Sequence, residues 1–162
     1  MSAGDGVEPR QPQLPRRSAR LAAVQAVYEI AVSDADVETI LDNFLHQRWP
    51  RSGANDRLPP PDLRLLTTML RGVVAATPAL DQEIDAILAN RRGAERIELL
   101  LRAILRVGAF ELMAMEAVPT KVILNEYINL AHAFFAGGEP ALVNAVLDRL
   151  ALRYRGPANV LS

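Results

Sequence analysis

The 162-residue chain has no cysteine, which excludes disulfides, thiolate metal sites and cysteine nucleophiles. Histidine is nearly as scarce, and His46 and His132 are too few and too far apart to build a zinc site. Lys121 is the only lysine, so arginine carries the rest of the positive charge. Aromatic residues make up only 5% of the chain, and no stretch alternates apolar and polar residues with period two, so no strand is expected. No apolar run approaches the roughly 20 residues of a membrane span, and the first twenty residues lack the apolar stretch of a signal peptide. These absences lead to the expectation of a cytoplasmic protein away from the membrane. A Walker A sequence, a dinucleotide fingerprint, an H-E-x-x-H pair and a nucleophile elbow are also missing, so neither an enzyme nor a cofactor is expected. Asp34-Ala35-Asp36 has the acid spacing of a calcium loop without its glycine or closing glutamate, and no metal is expected.

Net charge is −1 and the pI about 6.1. A generic nucleic-acid binder would be basic overall, so any affinity for a polyanion must come from a local cluster. The length fits one domain, and a chain of this size buries roughly 70% of its unfolded surface without covalent staples.

What the sequence does contain is helical periodicity. The stretch Glu95–Met113 organises the rest: Ile97, Leu100, Leu101, Ile104, Leu105, Val107, Phe110 and Leu112 cover most of its circumference, leaving Glu98, Arg102 and Arg106 as a narrow polar stripe. A helix apolar nearly all round is surrounded by other helices. Gly108 within it reads as a close approach rather than a stop. Glu111 falls on the apolar arc, where a carboxylate is either partnered or expensive.

Around this helix the sequence places a disordered tail over 1–13, rich in Gly, Pro, Gln and acid. Helix one follows over Arg16–Ala31, with Leu21, Val24, Val27, Tyr28 and Ala31 as its apolar face. Ala19, Ala22 and Ala26 form a second face of small residues that would admit a close neighbour. Helix two spans Val37–Trp49 with Asp36 as N-cap, and Pro50–Pro61 is a loop. Helix three starts near Asp62. Thr77-Pro78 reads as a stop and restart, giving a separate helix four over Pro78–Ala89. Helix six, Lys121–Ala136, sets Tyr127 among its apolar residues and lines up Lys121, Asn125, Asn129 and His132 on the other side. Glu126 borders Leu130 and is expected to pair with an arginine. Gly137-Gly138 breaks that helix, and helix seven runs from Pro140 to about Tyr154. The fold class is all-α, a bundle of about seven helices.

Four local signatures occur in order: Arg16-Arg17-Ser18-Ala19-Arg20 with Ala23-Val24-Gln25-Ala26-Val27-Tyr28; Arg102-Ala103-Ile104-Leu105-Arg106 closing in Phe110-Glu111-Leu112; Val118-Pro119 with Lys121-Val122-Ile123-Leu124-Asn125-Glu126; and Val143-Asn144-Ala145-Val146-Leu147-Asp148. In this order and spacing they resemble the NusB family of bacterial transcription antitermination factors over about Arg16–Tyr154. The resemblance implies two small subdomains, helices one to three and four to seven, within an RNA-binding domain at 14–157. It implies binding to the boxA element of nascent single-stranded RNA together with NusE, a ribosomal protein. It further implies a place in the RNA polymerase antitermination complex and read-through of terminators, notably in ribosomal RNA operons.

The residues that would carry this work follow. Arg16, Arg17 and Arg20 sit at the positive end of the helix-one dipole, where cations are disfavoured unless an anion lies nearby. Arginine offers phosphate a planar fork and can stack on bases. The competing reading is a solvated charge run. The resemblance adds Lys121, His132 and the Gly137-Gly138 loop as RNA contacts, and Tyr28, Leu101, Arg102 and Leu105 as partner contacts. With roughly three or four phosphates neutralised, log K would fall with log salt at a slope of about −2 to −3. Two departures stand out: Leu101 replaces an acid that relatives use toward the partner, and Ala145 replaces a glycine. The alternative is a helical protein–protein adaptor without RNA affinity, or a homodimer closed by an exposed row around Leu101 and Leu105. Glu111, Arg106, Asn125, Glu126, Asn144 and Asp148 are read as structural rather than catalytic.

Overall fold

The computed structural model describes residues 13–46, 58–91 and 97–157. The expected tail, Trp49, Glu95 and most of the Pro50–Pro61 loop lie outside those residues, although Gln13 is already helical. Within them the chain forms six α-helices and no strand: α1 (Gln13–Ser33), α2 (Val37–His46), α3 (Leu63–Leu88), α4 (Leu99–Ala114), α5 (Thr120–Phe134) and α6 (Glu139–Arg155).

As its composition requires, α4 is the hub, packed against α1, α3, α5 and α6. Leu101, Ala103, Ile104, Leu105, Val107, Ala109 and Leu112 are all buried along it. Each fully buried Leu or Ile of this kind contributes about 1.5–3 kcal/mol. Gly108 continues the helix, and a Cβ there would stand 2.9 Å from a methyl of Leu147 and 3.2 Å from the Tyr127 ring. The missing side chain is what lets α6 and α5 approach. On the polar stripe, Arg106 donates to both oxygens of Asp81 at 2.7 Å, and Arg102 reaches Asp81 at 3.3 Å and Asp85 at 2.7 Å. Arg102 and Arg106 of that stripe therefore face α3, while Glu98 stays exposed.

Two expectations about helices are corrected. Thr77-Pro78 does not separate two helices; Pro78 lies inside α3. A proline there costs about 3 kcal/mol in a helix interior. The buried row Leu66, Leu70, Val73, Leu80, Ile84 and Leu88 keeps one register on both sides of it, so breaking the helix would unpack half of that row. The expected boundary between helices three and four accordingly falls within a single helix. By length and composition α3 is also apolar enough to cross a membrane, yet its apolar row points into the core, and its Arg71, Asp81 and Asp85 form ion pairs with neighbouring helices. The second correction concerns the apolar face of α1: Val24 and Val27 are buried, but Tyr28 and Ala31 are exposed, while the small-residue face of Ala19, Ala22 and Ala26 takes the close neighbour expected of it. Small side chains win because they allow α1 to lie close against α4 and α3.

The caps follow the sequence. Asp36 accepts from the Thr39 N–H at 3.3 Å, and Asp62 accepts from the Leu65 N–H at 3.1 Å, each at a helix start. The left-handed turn that ends α1 falls on Asp34 (φ 54°), one of the residue types that tolerates it.

Candidate nucleic-acid interface

The first two turns of α1 lie beside α5, and between them runs a groove of about 620 Å³. Gln13, Arg16, Arg17 and Arg20 line one side; Asn125, Glu126 and Asn129 line the other. Ala117, Val118, Pro119 and Val122 form an apolar wall, with Val122 42% exposed. Ser18 donates to the Pro59 carbonyl at 2.7 Å, and the Asp62 N–H donates to the Pro15 carbonyl at 3.0 Å, so the start of α1 is held to the segment that leads into α3.

The opposite wall is held by Arg155, at the end of α6. Its guanidinium donates to the carbonyls of Leu112 (2.9 Å), Met115 (2.8 Å) and Val118, taking up acceptors left open where α4 ends. The turn 115–119 that forms the apolar wall is thereby fastened to α6.

The three arginines do not share one environment. Arg16 is exposed. Arg17 is half-exposed and holds Glu126 with two nitrogens, at 2.9 and 3.2 Å. The hydrogen bond to Glu126, followed by its charge, raises the Arg17 pKa, so the guanidinium stays charged. Arg20, expected among the phosphate contacts, is instead 4% exposed. Its guanidinium grips both oxygens of Glu111 at 2.6–3.0 Å, with the Tyr127 hydroxyl donating to the same carboxylate at 2.5 Å. Burial works against the Arg20 charge, but the hydrogen bond and charge of Glu111 outweigh it. The inward carboxylate is therefore partnered, and Arg20 forms the floor of the groove rather than part of its open face.

Lys121 and His132 are exposed on the same polar row of α5 as Asn125 and Asn129, but they do not line the groove. Gly137 and Gly138 are exposed in the α5–α6 turn; the Gly137 N–H is taken by Glu139 at 3.1 Å, while the space beside Gly138 is open. Of the expected partner contacts, Tyr28 is 39% exposed and Arg102 is half-buried against α3. Leu101 and Leu105 are corrected: at 3% and 0% exposure they belong to the core, so the row around them is not free to close a homodimer. Sequence reasoning missed the apolar wall; the signal was an exposed valine in a first turn straight after Val118-Pro119. Among the described residues no group of acids and histidines could hold a metal ion.

The NusB family model matches residues 17–152 of this chain. Transcription antitermination protein NusB of Caulobacter vibrioides is 42% identical over 137 residues, covering 85% of this chain and 92% of the relative. The Rhizobium rhizogenes protein of the same name is 37% identical over 158 residues, covering 98% and 99%. The structure of T. maritima NusB superposes with a TM-score of 0.70 at 25% identity, covering 91% of this chain and 96% of that one. With the helical order, the four signatures and these likenesses in agreement, the chain belongs to the NusB family of transcription antitermination proteins.

Proposed function

We propose that this protein binds the boxA element of nascent RNA together with NusE, and that it promotes read-through by RNA polymerase in the cytoplasm, notably in ribosomal RNA operons. It acts by binding and not by catalysis. The observation that carries the reading is the α1–α5 groove. Two exposed arginines stand opposite two exposed amides, with an apolar wall alongside. That combination suits single-stranded RNA: guanidinium forks take phosphate, amides take base edges, and apolar side chains receive an unstacked base. Arg16 and Arg17 are the principal phosphate contacts. Lys121, His132 and the Gly137-Gly138 turn extend the RNA path, and Tyr28 and Arg102 lie on surfaces available to NusE.

The homodimer alternative loses the apolar row it needed, since Leu101 and Leu105 are buried. Anisotropy titration of a labelled boxA RNA, with and without NusE, tests the reading. Binding is expected to weaken with salt at a slope of about −1.5 for two phosphates, shallower than three free arginines would produce. Arg16→Ala and Arg17→Ala are each expected to weaken it while leaving the melting temperature unchanged. Absent binding in both settings, or binding indifferent to salt and to both substitutions, would refute it.

A further inference from the structure

The Arg17–Glu126 ion pair sits in the groove, not beneath it. Glu126 comes from α5, and its two oxygens meet Arg17 Nε at 3.2 Å and Nη2 at 2.9 Å. This is the two-point geometry in which an arginine fork receives a phosphate. Glu126 also stands 3.9 Å from Arg20 Nη1, so it is held from two sides, and its side chain is only 14% exposed. Arg20 in turn is neutralised by Glu111 below it. The charge this corner offers to a polyanion is thus much smaller than its three arginines imply, and among the described residues Arg16 is the lining cation with no pairing across the groove.

We infer that Glu126 is an internal competitor for RNA phosphate, occupying the Arg17 fork so that a phosphate must displace it to bind there. The inference rests on the RNA-binding reading above and adds a residue that sets its affinity. Displacement is feasible because an ion pair with a half-exposed arginine is weak. The competition lowers affinity for every polyanion by the same factor. It therefore removes sequence-independent binding at working concentrations and leaves RNAs that make further contacts, through bases or a second protein. An acidic protein with one arginine corner gains selectivity this way without altering the corner's cations.

The test is anisotropy titration of a short labelled oligouridylate, over a series of salt concentrations, with the wild-type protein, Glu126→Gln, Arg17→Ala and the double variant. Glu126→Gln is expected to bind about two- to fivefold tighter, with the salt slope unchanged at about −1.5, since the same two phosphates are neutralised once Glu126 is displaced. In the Arg17→Ala background the gain should fall by at least half. Unchanged or weaker binding by Glu126→Gln would overturn the inference, since a residue that merely positions Arg17 gives that result. An equal gain in both backgrounds would overturn it too, as a general charge effect. Should Glu126→Gln fail to fold in a circular-dichroism melt, Glu126→Asp, too short to span both nitrogens, is expected to give a smaller gain of the same sign. Wild-type and Glu126→Gln proteins that both bind no oligouridylate even at low salt would overturn this inference, and absent boxA binding with and without NusE would sink the RNA reading along with it. Binding that is lost in Arg17→Ala but not raised in Glu126→Gln would sink this one alone.

Discussion

Arg20 and Glu111, 91 residues apart in sequence, close on each other as a buried ion pair in which the Arg20 Nε meets both carboxylate oxygens and Nη2 meets one of them. The pair ties α1 to α4, and the Tyr127 hydroxyl brings α5 to the same carboxylate.

Removing one member of such a pair leaves the other charge buried and alone. Glu111→Ala is expected to destabilise the fold by about 3–5 kcal/mol and to lower the melting temperature by roughly 10 °C. The combined change Arg20→Met, Glu111→Leu, Tyr127→Phe should lose far less, because no charge is stranded. Urea unfolding of the two variants decides this: equal losses would mean the site is valued for its shape and not for its charges.

Burial, with help from the Glu111 charge and hydrogen bond, pushes the Tyr127 phenol well above its ordinary pKa of about 10. The folded state therefore keeps a proton that the unfolded state releases. Stability tied to this group is present below the ordinary value and declines as pH rises beyond it. In an alkaline titration followed by phenolate absorbance, Tyr127 should stay protonated until the protein unfolds, and Tyr127→Phe should remove that step. A phenolate signal from this residue while helicity is intact would contradict the buried placement.

Asp81 responds in the opposite direction. Its burial tends to raise the pKa, but the hydrogen bond from Arg106 and the charges of Arg106 and Arg102 prevail and lower it. A carboxylate held below its unfolded value stabilises the fold above about pH 4, and that stability is lost as pH falls through the folded value. Asp81→Asn should cost about 1–2 kcal/mol at neutral pH, and the gap from wild type should close in acid. A gap that persisted at pH 2 would point to packing.

Gly72 was not singled out by periodicity, yet a Cβ there would come within 2.1 Å of the Phe110 ring. Gly72→Ala gains about 1 kcal/mol of helix propensity. A ring with 8% exposure has little room to retreat, so overpacking of about 1–3 kcal/mol should dominate. Chemical denaturation should show a net loss of stability, and Gly72→Ala combined with Phe110→Leu should recover part of it. A stabilised Gly72→Ala would show that α3 and α4 are free to separate.

By itself the sequence determined where the chain is helical, apart from the break it placed at Pro78, because apolar spacing and capping residues act locally. The hub role of α4, the cap at Asp36, the start of α3 near Asp62, the close approach at Gly108 and the need for a partner at Glu111 could all be read from neighbours within a turn or two. Tertiary structure alone decided which residues met. It carried α3 through Pro78, since one continuous apolar row outweighed the local cost of the ring. It left Tyr28 and Ala31, expected on the apolar face of α1, outside. It also drew Leu101 and Leu105 into the core and split three adjacent arginines into an exposed one, one held by Glu126 and one locked onto Glu111. The physical reason is that a charge or a small residue takes its value from what packs against it, and here that partner arrives from 91 or 109 residues away.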